Sequence, residues 1–303
     1  MDWINTVSLA VEYIEENISE DLTLEKVAKS TYSSTFHFQR VFCLMCGFTL
    51  GEYIKRRRLT LAGEELSKGE KVLTVAVKYG YSTSESFSRA FFRFHGVLPS
   101  EVRKGIKYKT FPKLALTNNF YGDESMNYKI ENRQEITLVG FKKRFYGVPY
   151  GEERARQEEE FARTTRAKQW LLLGASCDHS TDYCVITNVD DNGYDFYFAW
   201  NLDEWTRTEL FNPKTTGVDF IDKLGFEIIT VKGGIYATFS TPKMKRPIAD
   251  YVKIRNRIVK DRVNFSGYEF ANAPELIVMH WRPKGEWEKE RYIEICLPLE
   301  KVK

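Results

Sequence analysis

The sequence predicts a multidomain chain. An all-α N-terminal domain carries two helix-turn-helix units joined by a long helix, and an α+β domain with a duplicated strand–helix–strand pattern follows. Three observations carry this reading. Residues 33–47, SSTFHFQRVFCLMCG, recur at a shift of 49, so that Phe38 meets Phe87, Arg40 meets Arg89, Phe42 meets Phe91, Met45 meets Phe94 and Gly47 meets Gly96. The helix before each copy recurs at a shift of 48, LEKVAKS (24–30) over VLTVAVK (72–78), which places one extra residue in the second turn, at or beside Gly80. From about Asn127 onward, strand-like runs replace the helical period. A repeated helix, polar turn and helix is the unit whose second helix enters a DNA major groove.

The elements follow in order. Trp3–Asn17 is an amphipathic helix with Leu9, Val11, Tyr13, Ile14 and Ile18 on its apolar side. EDLTLEKVA restarts a helix with Thr23 as N-cap, and the third helix starts in SSTF and stops at Gly47. Thr49–Leu66 is one long helix, ~27 Å at 1.5 Å per residue. The second unit runs from Leu73 to Gly96, with Phe87, Phe91 and Phe94 as its buried stripe, and a closing helix begins after Pro99. Residues 107–126 lose periodicity and read as a linker between domains 1–106 and 127–303, with a strand around 107–116. Strands are expected at 135–145, 183–189, 194–200, 225–240, 275–282 and 291–300, and helices at Glu152–Leu173 and Pro247–Val263. ITLVGFKKRFYG (136–147) and IITVKGGIYATF (228–239) open two similar halves with a crevice between them.

The chain of 303 residues is 43% hydrophobic and carries a net charge of only +3. Residues 1–107 hold 15 Lys and Arg against 13 Asp and Glu, so a DNA-binding face depends on local placement, such as KRRR at 55–58. Arg56, Arg57 and Arg58 lie on the connecting helix, where they serve the DNA backbone or the structure and carry no base information. Five scattered cysteines suit a reducing compartment, and Cys43-x-x-Cys46 lacks a second ligand pair for zinc. The N-terminus lacks the basic region of a signal peptide, and no apolar run approaches the ~20 residues of a membrane span, which points to the cytoplasm. Four histidines (His37, His95, His179, His280), with no Ser/His/Asp or Cys/His pattern and no phosphate loop, give no catalytic or metal site and call for no cofactor.

On the first recognition helix, Phe36, Gln39, Arg40 and Cys43 share the outer face. Gln suits adenine, Arg suits guanine O6/N7, and Phe36 suits a thymine methyl. On the second, Ser82-x-x-Glu85 reads as a capping box, with an acceptor role toward cytosine as the rival for Glu85. Ser84, Ser88 and Arg89 suit phosphates or bases at a helix N-terminus, and equally a plain polar surface. In the C-terminal domain Glu294 alternates with Tyr292 and Cys296 on one strand face. It meets either a cationic ligand or a neighbouring Arg or His280. Trp170, Trp200, Tyr236 and Trp281 are pocket-wall candidates or ordinary core. EERARQEEEF (152–161) reads as a solvated helix face.

The run A-x-x-x-G-Y (76–81), FSRAFFRFHGVLPSEVR (87–103) and FHFQRVF (36–42) resembles the AraC/XylS transcriptional regulators over residues 3–105. The resemblance implies two helix-turn-helix units inserted into successive major grooves of double-stranded DNA. It also implies RNA polymerase as a further partner. It carries base-contacting positions onto Phe36, Gln39 and Arg40, and onto Ser84, Glu85, Ser88 and Arg89, although other members often have amides near 84 and 85. Residues 127–303 are similar to GyrI-like effector-binding domains, in a Rob-like order. That resemblance rests on the duplicated pattern and the ending YIEICLPL (292–299). It implies a small-molecule effector, apolar or cationic, and a pocket-floor carboxylate at Glu294. A second family carboxylate maps onto Ile277 and is missing. A GyrI-like hydrolase or sequestering protein fused to a DNA-binding module is the rival reading, and a protein-interaction sensor the third.

Overall fold

The structure, a computed structural model, describes residues 3–115, 127–151, 153–176, 180–260, 265, 267–281 and 290–302, apart from the side chains of residues 36, 37, 210, 259 and 260. The chain divides into two compact units, one holding most of residues 1–120 and the other running on from Tyr121.

The first unit is helical: α1 (Trp3–Glu16), α2 (Leu24–Ser30), α3 (Thr35–Cys46), α4 (Leu50–Ser67), α5 (Val72–Lys78), α6 (Ser84–His95) and α7 (Pro99–Val102). The buried stripe of α1 is Val7, Ala10, Val11 and Ile14, while Leu9 is half exposed. Threonines cap three helices. Thr23 accepts from the Lys26 amide at 3.3 Å, Thr49 from Glu52 at 3.1 Å and Thr83 from Ser86 at 3.1 Å. The cap of α6 is therefore Thr83, and the expected Ser82–Glu85 box does not form; Thr83 sits where the amide of the third helical residue can reach its hydroxyl.

The two helix pairs share one turn. After α2, the Ser33 amide bonds Ala28 O at 3.0 Å and Tyr32 bonds Lys29 O at 3.1 Å; after α5, Tyr81 bonds Ala76 O at 2.9 Å and Gly80 bonds Val77 O at 3.1 Å. Tyr32 and Gly80 take the same left-handed conformation, φ 56° and 83°. The shift of 48 thus holds through Tyr81. At the helix starts it is 49, with Phe38 bonding Ser34 O and Phe87 bonding Thr83 O. The extra residue is Ser82, not Gly80.

Arginines of α4 hold the unit together. Arg57 is buried and grips Glu15 of α1 through two 2.8 Å bonds, while Tyr53 donates to the same carboxylate at 2.9 Å. Arg58 closes the end of the α1 segment on Ile18 O at 2.8 Å and Glu20 O at 2.5 Å. Arg56 pairs with Glu52 and lies over Phe48 and Phe111. Arg57 and Arg58 of the KRRR run are thus structural, while Arg56 is half exposed. Residues 106–115 form no strand. Their backbone is bound to α4 instead, Phe111 N to Thr60 Oγ1 at 3.0 Å and Leu114 N to Tyr53 OH at 3.3 Å. Gly63 makes room for the Tyr108 ring there, since a Cβ would come within 2.6 Å of it.

The second unit contains β1 (Lys129–Arg133), β2 (Ile136–Tyr146), α8 (Glu153–Thr164), α9 (Arg166–Ala175), β3 (Thr181–Asp190), β4 (Gly193–Asn201), a π-helical turn (Thr206–Leu210), α10 (Pro213–Thr216), α11 (Phe220–Leu224), β5 (Glu227–Val231), β6 (Gly234–Ser240), α12 (Ile248–Lys260), β7 (Tyr268–Phe270), β8 (Glu275–His280) and β9 (Tyr292–Lys301). Strands β1 and β7 were not expected, the long helix breaks at Thr165, and 225–240 is two strands. The rhyming segments do not correspond: 136–147 is one strand, whereas 228–239 crosses from β5 into β6.

All strand pairs are antiparallel, in the order β1-β6-β9-β8-β3-β4-β2-β5, with β7 beside β9. This order forces curvature. Six spacings of ~4.8 Å would hold β1 and β2 ~29 Å apart in a flat sheet, yet the two linking residues reach only ~10 Å. The β5–β6 link, also two residues, closes the same gap, and Gly233 there would place a Cβ 2.9 Å from Arg133 O. The inner face of the curl is filled by Leu138, Val185, Tyr197, Val231, Tyr236, Leu276 and Cys296. Helix α8 packs on β2, α9 on β4 and α12 on β9, covering the other face.

The capping assignment has a direct test in the urea midpoint. Thr83→Ala is expected to cost about 0.5–2 kcal/mol and Ser82→Ala nearly nothing; the reverse order would restore the Ser82 box.

Candidate nucleic-acid interface and effector site

Helix α6 turns Phe87, Phe91 and His95 inward, with Phe87 and Phe91 5.4 Å apart and Tyr81 edge-on to Phe87. His95 rather than Phe94 completes the buried stripe, because its ring nitrogens reach two backbone carbonyls, Lys109 O at 2.6 Å and Leu59 O at 3.0 Å. Burial pushes its pKa down against the pull of those carbonyls. The opposite side presents Glu85 and Arg89 exposed, with Ser84 and Ser88 half-buried beside them. Glu85 lies in the first turn, where its charge complements the helix dipole.

Helix α3 is different. Arg40 is half exposed, but Gln39 and Cys43 are buried and do not share an outer face with it. The reason is legible in VFCLMC: Val41 through Met45 are all buried, and a helix apolar around its circumference is covered on more than one side. The Phe36 side chain lies outside the described residues.

In the second unit, Glu294, Tyr292 and Cys296 share the inner sheet face, as β9 alternation requires. Glu294 is already partnered. Arg133 Nη2 lies at 2.8 Å, His280 Nε2 at 3.3 Å, Ser240 Oγ at 3.4 Å and Lys129 Nζ at 3.8 Å. Burial alone would raise its pKa; the His280 hydrogen bond and the Arg133 charge outweigh this and bring it down to about 2. Glu131 links the same ladder, accepting from Thr238 at 2.7 Å, Lys129 at 2.9 Å and Arg133 Nε at 3.1 Å. The alternating charges of Lys129-x-Glu131-x-Arg133 were the available sequence signal for this edge strand.

The aromatic candidates do not converge. Tyr236 is on the inner face and donates to Pro274 O at 3.3 Å, and Tyr292 stacks on His280 at 4.0 Å. Trp200 is on the helix-covered face, donating to Asp182 at 2.8 Å and stacking on Phe141. Trp170 is 69% exposed on α9, and Trp281, just past β8, is half-buried. A shared pocket wall of all four is excluded by strand alternation, which sends Tyr236 and Trp200 to opposite faces. Ile277 is buried on the helix-covered side, beside Cys184.

A second polar cluster escaped the sequence reading. Helix α8 is not fully solvated: Arg154, Glu158 and Phe161, at i, i+4 and i+7, face inward, and Arg154 is 1% exposed. Arg154 Nε meets Glu158 at 2.6 Å, Nη1 meets Pro149 O at 2.8 Å and Nη2 meets Tyr251 OH at 2.9 Å. The apolar anchor Phe161 in phase with Arg154 was the signal.

A family described as a helix-turn-helix domain matches residues 27–105. The regulatory protein SoxS of Salmonella typhimurium is 38% identical over 98 residues, which is 32% of this chain and 92% of that protein. The HTH-type transcriptional activator AarP of Providencia stuartii is 36% identical over 98 residues, 32% of this chain and 73% of its own. A solved bacterial transcription regulation protein from Staphylococcus aureus MU50 aligns with a TM-score of 0.38 at 15% identity, covering 58% of this chain and 99% of that one. The chain belongs to the AraC/XylS family of transcription regulators. As an AraC-type regulator it binds DNA through its helical unit. Among the described residues, no helix of this regulator is long and apolar enough to cross a membrane, and no group of three or more His, Cys, Asp or Glu could hold a metal ion.

The Glu294 ladder sets a pH dependence. Its folded pKa is depressed from 4.5 to about 2, so its contribution to stability is complete above 4.5 and is lost as pH falls through about 2. Unfolding by urea as a function of pH should therefore show a shallower acid loss in Glu294→Gln than in the parent across that window. Parallel curves would mean the carboxylate gains nothing from Arg133 and His280.

Proposed function

We propose that this AraC-type protein is a sequence-specific regulator whose second unit senses a small molecule. In this reading α2–α3 and α5–α6 are two helix-turn-helix units joined by α4, and α3 and α6 are the recognition helices. The observation that carries it is the shared turn: the same pair of hydrogen bonds and the same left-handed residue close α2 and α5, 48 residues apart. Arg89 has the exposure a groove contact needs, and Ser84 and Ser88 flank it at the helix start. In α3 the accessible reader is Arg40; Gln39 serves only in a conformation that exposes it, and Phe36 is assigned from the family resemblance.

The second unit is read as a GyrI-like, duplicated domain. From the β3–β8 boundary the sheet order is symmetric, β3-β4-β2-β5 on one side and β8-β9-β6-β1 on the other. The two helices match as well: Arg154, Glu158 and Phe161 of α8 and Tyr251, Arg255 and Ile258 of α12 face inward at the same spacing. The domain boundaries near 106 and 127, the cytoplasmic setting and RNA polymerase as partner belong to the same reading. A hydrolytic role for Glu294 is disfavoured, since a carboxylate held at about 2 by His280 and Arg133 is far from the pKa of an efficient general acid or base.

Selection of binding sites from random DNA tests the assignment. Arg40→Ala and Arg89→Ala should each relax preference at one guanine, in different half-sites, at a cost of ~1–3 kcal/mol. A uniform loss across all sequences, with a salt slope reduced by about one unit, would instead make either residue a phosphate contact.

A further inference from the structure

Three arginines among the described residues are held by acceptors. Arg57 holds Glu15, Arg133 bridges Glu131 and Glu294, and each nitrogen of Arg154 has its own acceptor. Arg255 of α12 is held differently. It is 4% exposed, its Nε and Nη1 form no hydrogen bond, and its nearest carboxylate, Glu158 Oε2, stands 3.6 Å from Nη1. That carboxylate group is already taken up by Arg154 at 2.6 Å. The other acid of the cluster, Glu275, accepts from Tyr150 and lies 4.0 Å from Arg154.

A second donor lies in the same place. The Tyr194 hydroxyl is buried with no hydrogen-bond partner, and it lies within the fields of Arg154 and Arg255 and of the opposing carboxylates Glu158 and Glu275. Tyr251 covers Arg255, its ring 5.5 Å from the guanidinium, and Phe196 lies under Arg154 at 5.6 Å. The surroundings are thus aromatic, and the polar groups left without a hydrogen bond are donors. A buried donor without an acceptor is costly, and more so when it is charged. The group that would relieve both is an acceptor carrying negative charge.

We propose that the effector of the second unit is an aromatic carboxylate, bound between α8 and α12 with its charge on Arg255 and a hydrogen bond from Tyr194. This rests on the sensor reading above and replaces its cationic ligand: Glu294 already has Arg133, Lys129 and His280 around it, whereas the Arg255 guanidinium and the Tyr194 hydroxyl keep hydrogen-bond donors without an acceptor.

Calorimetric titration of the full chain with benzoate, its neutral isostere benzamide and the cation benzylamine decides the matter. Benzoate is expected to saturate one site and to bind about tenfold or more tightly than either of the others. Arg255→Met should abolish that preference. Tyr194→Phe removes one unpartnered hydroxyl at constant shape, so it should weaken benzoate severalfold while leaving the melting temperature unchanged or higher, which keeps the test open if Arg255→Met does not fold. Preference for benzylamine, equal binding of all three, or benzoate binding untouched by Tyr194→Phe and by a folded Arg255 variant would overturn the anionic site and leave the sensor reading standing. Saturation by none of the three would likewise overturn the anionic site.

Discussion

A guanidinium taken out of water must be given partners, and most of this protein's architecture can be traced through how that requirement is met. In the helical unit, Arg57 and Arg58 leave the connecting helix to hold the first helix, one by its carboxylate and the other by the carbonyls at its end. In the sheet unit, Arg133 draws the edge strand onto Glu294 across two intervening ladders, and Arg154 fixes the segment before its own helix through Pro149. Such pairs contribute modestly as net stability, because desolvation offsets attraction. Their value lies in geometry, since a slipped register or a rotated helix would leave charge buried and alone.

The two units use the polar residues of their helices differently. Helix α6 turns Phe87, Phe91 and His95 inward and presents short or charged groups outward together with Phe92. Helix α3, although its sequence aligns with α6, is apolar over most of its second half and is covered accordingly. The repeat therefore preserves the hinge of each helix pair more faithfully than the surface each pair offers.

Much of the helical unit was legible in the sequence because its signals are local. Thr23, the Thr49 boundary and Gly96 mark helix ends through caps that act over three or four residues. The same locality failed at Thr83, where two adjacent hydroxyls competed and only backbone geometry chose between them. The arginines at 56–58 read as a basic patch because the partners of Arg57 and Arg58, namely Glu15, Ile18, Glu20 and Phe111, are about forty or more residues away. In the sheet unit the strands stood out by apolar runs, but β1 is charged on one face, β7 is three residues long, and the wide separation of partners hid the register. The rhyme between 136–147 and 228–239 was a similarity of composition rather than of place. Glu294 was found through its family motif; Arg154, Glu158 and Arg255 were not, because isolated charges in a charged helix carry no mark of burial unless their phase against Phe161 or Ile258 is weighed.

The curled sheet also constrains how the chain can be assembled in time. The strand formed by Tyr292–Lys301 lies in the interior of the order, between β6 and β8, and also holds β7. Neighbouring partners come from far apart: Lys129–Arg133 pairs with a strand about a hundred residues later. A nascent chain emerging from the ribosome therefore cannot close this sheet strand by strand. The earlier strands must wait with unpaired edges until the last one is synthesised, and non-local closure of that kind is slow. The helical unit, whose contacts are mostly sequential, is free of that delay, so during synthesis the DNA-binding part is complete while the second unit is still an open sheet exposed to wrong partners.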